Sequence, residues 1–242
     1  MKDKSSKKIF IVAILLAAIL YLPIRMYILG VPSDYHISDI KKSGDEMVIT
    51  GEIIDSAKAY TRHNFRKDNS KKTLEIYGAL SSFLHKSSRF EIREEIGIPM
   101  YIKDKYIDEW GNILDKKTIE IYNHKVKYIG SGSEVINLLS TIDIGKNFGE
   151  YKVVLETDEK PYVLNINLND EIDRKDLDKK LIEMKNFGII ILQLIENADE
   201  INYNYSTDYK ANSLNIKKSD YADIKITSPL DLQELIDKLE VN

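Results

Sequence analysis

Residues 176–198 read DLDKKLIEMKNFGIIILQLIENA. Leu177, Leu181, Met184, Gly188, Ile191 and Ile195 recur at intervals of four and three, which predicts a helix over Asp176–Ala198, buried where it becomes continuously apolar. Taken alone, Phe187–Ile195 also reads as a strand, but strands rarely exceed about ten residues, so length decides for the helix. Upstream, Tyr151, Val153 and Leu155 alternate with polar residues, as do Tyr162, Leu164, Ile166 and Leu168, and Asp158-Glu159-Lys160-Pro161 separates the runs, predicting a hairpin. Downstream, Ile201, Tyr203 and Tyr205 alternate with Asn202 and Asn204, and Leu214–Ile216 and Ile224–Ile226 read as short strands. Ser228-Pro229 then opens a last helix with Leu232, Leu235, Ile236 and Leu239 on one face. A first short helix is expected behind Ser131-Gly132-Ser133-Glu134, which has the form of a capping box, with Val135, Leu138, Leu139 and Ile142 on its apolar face. Helices against strands of this kind predict an α+β domain over 127–242, its helices on one face of an antiparallel sheet.

The preceding part, 35–125, has a different texture. Tyr35–Ile40 and Met47–Ile54 flank the turn Lys42-Ser43-Gly44-Asp45, and Leu74–Tyr77, Phe90–Arg93, Met100–Ile102 and Ile119–Tyr122 alternate with period two. Short strands of this kind predict a small antiparallel β-sandwich or barrel, with Ile49, Ile53, Leu74, Ile76 and Ile121 facing inward. The join between the two domains is placed at 123–127.

The amino terminus sets the expected location. Lys2, Lys4, Lys7 and Lys8 precede an apolar run from Ile9 to Leu29, interrupted by Arg25 near its far end. As a helix that run is about 31 Å long at 1.5 Å per residue, enough for the hydrocarbon core. Residues 1–30 are thus expected to be a cytoplasmic tail and transmembrane anchor, with the lipid bilayer as partner of residues 9–29. The lysines stay inside and the remainder of the chain lies outside. A cleaved signal peptide, with Val31-Pro32-Ser33 as the best site, and a buried core helix are the competing readings.

Net charge is +4 over the first 30 residues against −4 for all 242, which leaves −8 outside. An acidic exterior without a basic stripe argues against nucleic acid. Zero cysteines exclude disulfides, thiolate metal sites and a cysteine nucleophile.

Motifs of chemistry are sparse. His36, His63, His85 and His124 have no helical zinc spacing, so neither a metal site nor a cofactor is expected. Gly130-Ser131-Gly132-Ser133 misses the nucleophile elbow, and the S-x-x-K from Ser5 to Lys8 lies on the tail. The acidic stretches 169–178 and 196–200 lack an EF-hand glycine, and Asp173 or Asp176 is better placed to cap the long helix. Tyr203, Tyr205 and Tyr209 cluster after that helix and are the candidate binding residues, as aromatic anchors on an exposed sheet face.

The second domain resembles the domain-of-unknown-function family 4825 over about Lys127–Ser206. The resemblance rests on Tyr128-Ile129-Gly130 with Ser133, Val135 and Leu138-Leu139, on Glu156-Thr157-Asp158 with Pro161-Tyr162, and on Asn186-Phe187 through Leu194–Ile201. Ile142-Asp143 stand where the family often has a proline. Residues Leu80-Ser81-Ser82-Phe83 and Phe90-Glu91-Ile92 are similar to another uncharacterised surface module of Gram-positive bacteria. The resemblance implies an extracytoplasmic protein of Gram-positive bacteria and implies no reaction. The expectation is therefore a membrane-anchored extracytoplasmic binding or sensing protein, in contact with another membrane or cell-wall component and without catalysis. The alternatives are an envelope hydrolase or a structural scaffold.

Overall fold

The computed structural model describes residues 21, 23, 25–68, 71–83 and 85–241. Most of the expected membrane segment, 9–29, lies outside these residues; residues 25–29 are helical. No helix among the described residues is long and apolar enough to cross a membrane. The chain forms two compact units, Met1–Ile113 and Leu114–Asn242.

The first unit begins with β1 (Val31–Pro32), followed by β2 (Tyr35–Ser43) and β3 (Glu46–Ile53), which form the expected hairpin. Gly44 makes its turn at φ 62°, a backbone region that costs glycine nothing. β6 (Arg89–Glu95) pairs with β3 to complete a three-stranded sheet. The larger sheet is built on β4 (Lys58–Asp68) and β5 (Lys71–Leu80), paired antiparallel along their length, and adds β7 (Met100–Ile102), β8 (Lys105–Ile107) and β9 (Ile113–Asp115). β1 also pairs with β5, at Tyr77–Gly78. The β5–β7 pairing is parallel, so the unit is not wholly antiparallel. Both sheets feed one core. Met47, Ile49, Ile53 and Ile92 come from the smaller sheet, and Leu74, Ile76, Met100 and Ile107 from the larger. Each such side chain contributes about 1.5–3 kcal/mol on burial.

Two expectations fail here for local reasons. β4 is absent from the sequence reading because a bulge between Tyr60 and Arg62 shifts its alternation by one residue. Ile119–Tyr122 is no strand: it lies in α1 (Lys116–Asn123), with Thr118 and Ile121 buried. Ile121 accordingly packs in the second unit's core, not in the sandwich. Four alternating residues match one turn of helix as well as a strand, and here the buried pair is spaced by three. Thr118 Oγ1 donates to Gln233 Oε1 at 2.7 Å and Tyr122 Oη to the Thr227 carbonyl at 2.6 Å, fixing α1 on the last helix.

The second unit continues with α2 (Gly132–Thr141), α3 (Ile144–Phe148), β10 (Tyr151–Glu156), β11 (Val163–Glu171), α4 (Leu177–Leu194), β12 (Glu200–Thr207), β13 (Lys210–Lys217) and α5 (Pro229–Leu239). The sheet order is β10-β11-β12-β13. Its outer pairs are antiparallel as expected, but the central β11–β12 pair is parallel, because α4 carries the chain back to the end where β11 began. Leu164, Ile166, Ile201, Tyr203 and Ile216 face the helices, and Met184 and Phe187–Leu194 of α4 are buried with them.

Helix α4 stops at Leu194, four residues before the expected end, and Ile195 is extended and bridges to Val126. The capping box expected at Ser131 does not form: Ser131 has ψ 71° and its side chain makes no cap bond, while its carbonyl accepts from the Glu134 and Val135 N–H groups. Asp176 likewise makes no side-chain cap bond, its backbone turning at ψ −4°. The capping box of this unit is at α5, where Ser228 Oγ accepts from the Asp231 N–H and Asp231 Oδ2 accepts from the Ser228 N–H behind Pro229.

Candidate functional site

Helices cover one face of the β10–β13 sheet. The strand period of two sends every second side chain of the same strands to the other face. On β11 these are Asn165 and Asn167, on β12 Asn202 and Asn204, and on β13 Ser213 and Asn215. Strand register aligns them in rows: Val154, Asn165, Asn202 and Asn215 in one, and Lys152, Asn167, Asn204 and Ser213 in the next.

The amides are bonded in series. Asn215 Nδ2 donates to Asn202 Oδ1 at 2.6 Å, Asn202 Nδ2 to Asn165 Oδ1 at 3.1 Å, and Asn165 Nδ2 to Glu156 Oε1 at 2.8 Å. In the second row Asn204 Nδ2 donates to Asn167 Oδ1 at 2.8 Å. Asn215 also donates to Glu200 Oε2 at 2.8 Å, and Lys217 lies 3.6 Å from Glu200. Charges therefore sit at the rim while the centre is uncharged. Dipoles aligned head to tail polarise one another and hold the amides at fixed positions. Each amide has two donors and an acceptor with two lone pairs; Asn165 is buried, so the capacity left for a ligand above the face is on Asn167, Asn202, Asn204 and Asn215. Polar alternation of this kind was visible in Asn165-Ile166-Asn167 and Asn202-Tyr203-Asn204. Asparagine is depleted in strands, so its recurrence at every second position was the missed signal.

The structure separates the three tyrosines expected to act together. Tyr203 is 0% exposed, on the helix side beside Phe148 with ring centroids 5.9 Å apart, so it is core and no surface anchor. Burial pushes its hydroxyl pKa well up. Tyr205 is half-buried against the same core. Tyr209 is 97% exposed in the β12–β13 turn, where Glu171 accepts from its N–H at 2.6 Å.

A second polar cluster lies between the sheets of the first unit. Lys72 of β5 pairs with Glu94 of β6, and Tyr60 Oη meets His63 Nδ1 at 2.7 Å. Burial holds the His63 pKa below the usual histidine value, against the opposing charge of Glu94. The sequence assigns His63 no role, and the bulge that hides β4 hides its neighbours.

A cleft of about 260 Å³ beside Phe148 is lined by Asp170, Glu171, Asp173, Asp176 and Lys180. Its charges hold turns: Glu171 binds the Tyr209 N–H, Asp173 lies 3.3 Å from Lys175 Nζ, and Lys180 donates to the Asn147 carbonyl and to Glu183. Among the described residues no group of three or more histidine or carboxylate side chains is arranged to hold a metal ion.

The second unit is thus an α+β domain in which a helix crossover joins two hairpins into one mixed sheet with a polar open face. Residues 121–218 match the family model described as Domain of unknown function (DUF4825), from the last residues of α1 to the end of β13, over the strings that carry the resemblance. No curated protein and no solved structure matches the chain.

Proposed function

We propose that the protein is a membrane-anchored extracytoplasmic binding protein without catalytic activity, and that the asparagine-lined face of the β10–β13 sheet is its contact surface. The bonded series Asn215–Asn202–Asn165–Glu156 carries this reading. It is pre-ordered and neutral at its centre, and offers donors and acceptors without a nucleophile. Pre-ordered groups lose little entropy when a ligand binds, so they favour association. The matching partner is an uncharged polymer of the cell envelope bearing hydroxyl or amide groups. The lysine-flanked apolar run at 9–29 supports the anchor and its direction.

A photoreactive phenylalanine at Asn204 in the full-length protein tests the surface. In native membranes it is expected to crosslink a specific envelope component, whereas the same probe at Ile182, exposed on α4, does not. Equal yields at both positions, or none at Asn204, would contradict the proposal.

A further inference from the structure

The exit of the apolar amino-terminal segment coincides with a cluster of exposed apolar side chains. The Leu29 carbonyl accepts from Thr61 Oγ1 at 2.9 Å and from Arg62 Nε at 3.2 Å, so the helical residues 25–29 end against β4. Gly30 allows this closeness: at φ 74°, a Cβ there would lie 2.6 Å from Thr61 Oγ1 and 2.8 Å from the Gly78 carbonyl. Just above, the Tyr27 ring meets the His85 ring edge-on, with centroids 6.5 Å apart.

His85 belongs to the β5–β6 connection, which three backbone bonds tie to the end of β3, the β3–β4 connection and the start of β4. The Ser81 N–H donates to Ala57, Ile53 to Ser88 and Tyr60 to Ser87. Three large apolar side chains stand out from this end of the unit: Phe83 is 79% exposed, Ile54 64% and Leu80 63%. Leu80 pairs with Lys58, Phe83 is two residues from His85, and Ile54 follows the Ile53–Ser88 bond.

Exposed apolar residues grouped in this way cost solvation unless something covers them. If 9–29 spans the bilayer, Tyr27 lies in the interfacial belt where tyrosine is enriched. The group around His85 then lies at the same depth. We infer that Phe83, Leu80 and Ile54 enter the outer membrane interface, giving the first unit a second lipid contact beside its anchor. This rests on the anchored reading. The contact turns a single tether into two points of attachment and sets the tilt of the unit on the membrane.

Native Trp110 provides an internal reference, because it lies at the opposite end of the unit: Lys42 Nζ, beside the β2–β3 turn, donates to its carbonyl. The full-length protein is inserted in phosphatidylcholine vesicles whose acyl chains are brominated near the headgroup. Flotation reports anchoring and tryptophan emission reports depth. An inserted side chain sits about 5–10 Å into the headgroup–acyl boundary, so emission of Phe83→Trp in a Trp110→Phe background is expected to be roughly halved, while wild-type Trp110 emission is unchanged. A Phe83→Trp variant that floats but whose introduced indole is quenched no more than Trp110 overturns this inference and leaves the anchor standing. A protein that does not float overturns both. Leu80→Trp in the same background serves as the second probe if Phe83→Trp does not fold.

Discussion

Truncating Tyr203 to alanine is expected to destabilise the second unit by about 3–5 kcal/mol, and changing it to phenylalanine to stabilise it by about 1 kcal/mol. The ring is fully buried against Phe148, and a Cβ on Gly188 would lie 3.4 Å from its Cε2, so α4 packs on it closely. Alanine leaves a cavity in the middle of the sheet–helix interface. The hydroxyl is also buried, with no hydrogen-bond partner among the described residues. Removing it therefore releases a desolvation cost without breaking a bond. Hydrogen exchange of the β12 and α4 amides measures both changes in this unit alone. The two substitutions should move protection in opposite directions; protection lowered by phenylalanine would show that the hydroxyl is bonded. Because Asn202 and Asn204 flank Tyr203 on the same strand, the alanine variant should also loosen the polar face.

Lys72→Ala is expected to cost the first unit about 3 kcal/mol, whereas Lys72→Met with Glu94→Leu should restore most of that loss. The side chains are 7% and 23% exposed, and the pair links β5 of one sheet to β6 of the other. Two charges taken from water are repaid only by each other, so removing one strands its partner. Replacing both with apolar groups removes the charge from the interface altogether. Trp110 is the chain's single tryptophan and belongs to this unit, so its emission during urea unfolding follows the transition. A single variant as stable as the wild type would place the pair effectively in solvent.

Where side chains dictate a period, the fold was legible in the sequence. The spacing from Leu177 to Ile191 fits a helix and runs too long for a strand, and the hairpins at Gly44 and at 158–161 are marked by their turn residues. Strand direction was less legible, since alternation is the same in parallel and antiparallel pairs; the helix between β11 and β12 decides it. Helix caps were misread at Ser131 and Asp176 because a cap needs an extended backbone as well as the right side chain. Ser228 has both, at ψ 163°. The tyrosines drew attention as conspicuous anchors. Register turned Tyr203 inward and left its asparagine neighbours outward, so the candidate surface was the polar half of the same alternation.

The most direct test of the account is the side of the membrane on which the second unit lies. The chain has no cysteine, so Tyr209→Cys places a single thiol in a turn where the native residue is 97% exposed. Intact cells expressing the full-length variant are treated with a membrane-impermeant maleimide and compared with lysed cells. Labelling of intact cells to the extent seen after lysis is expected if this unit faces outward. A thiol that reacts only once the cells are broken would contradict the location, and with it the proposed envelope partner and the lipid contact at Phe83.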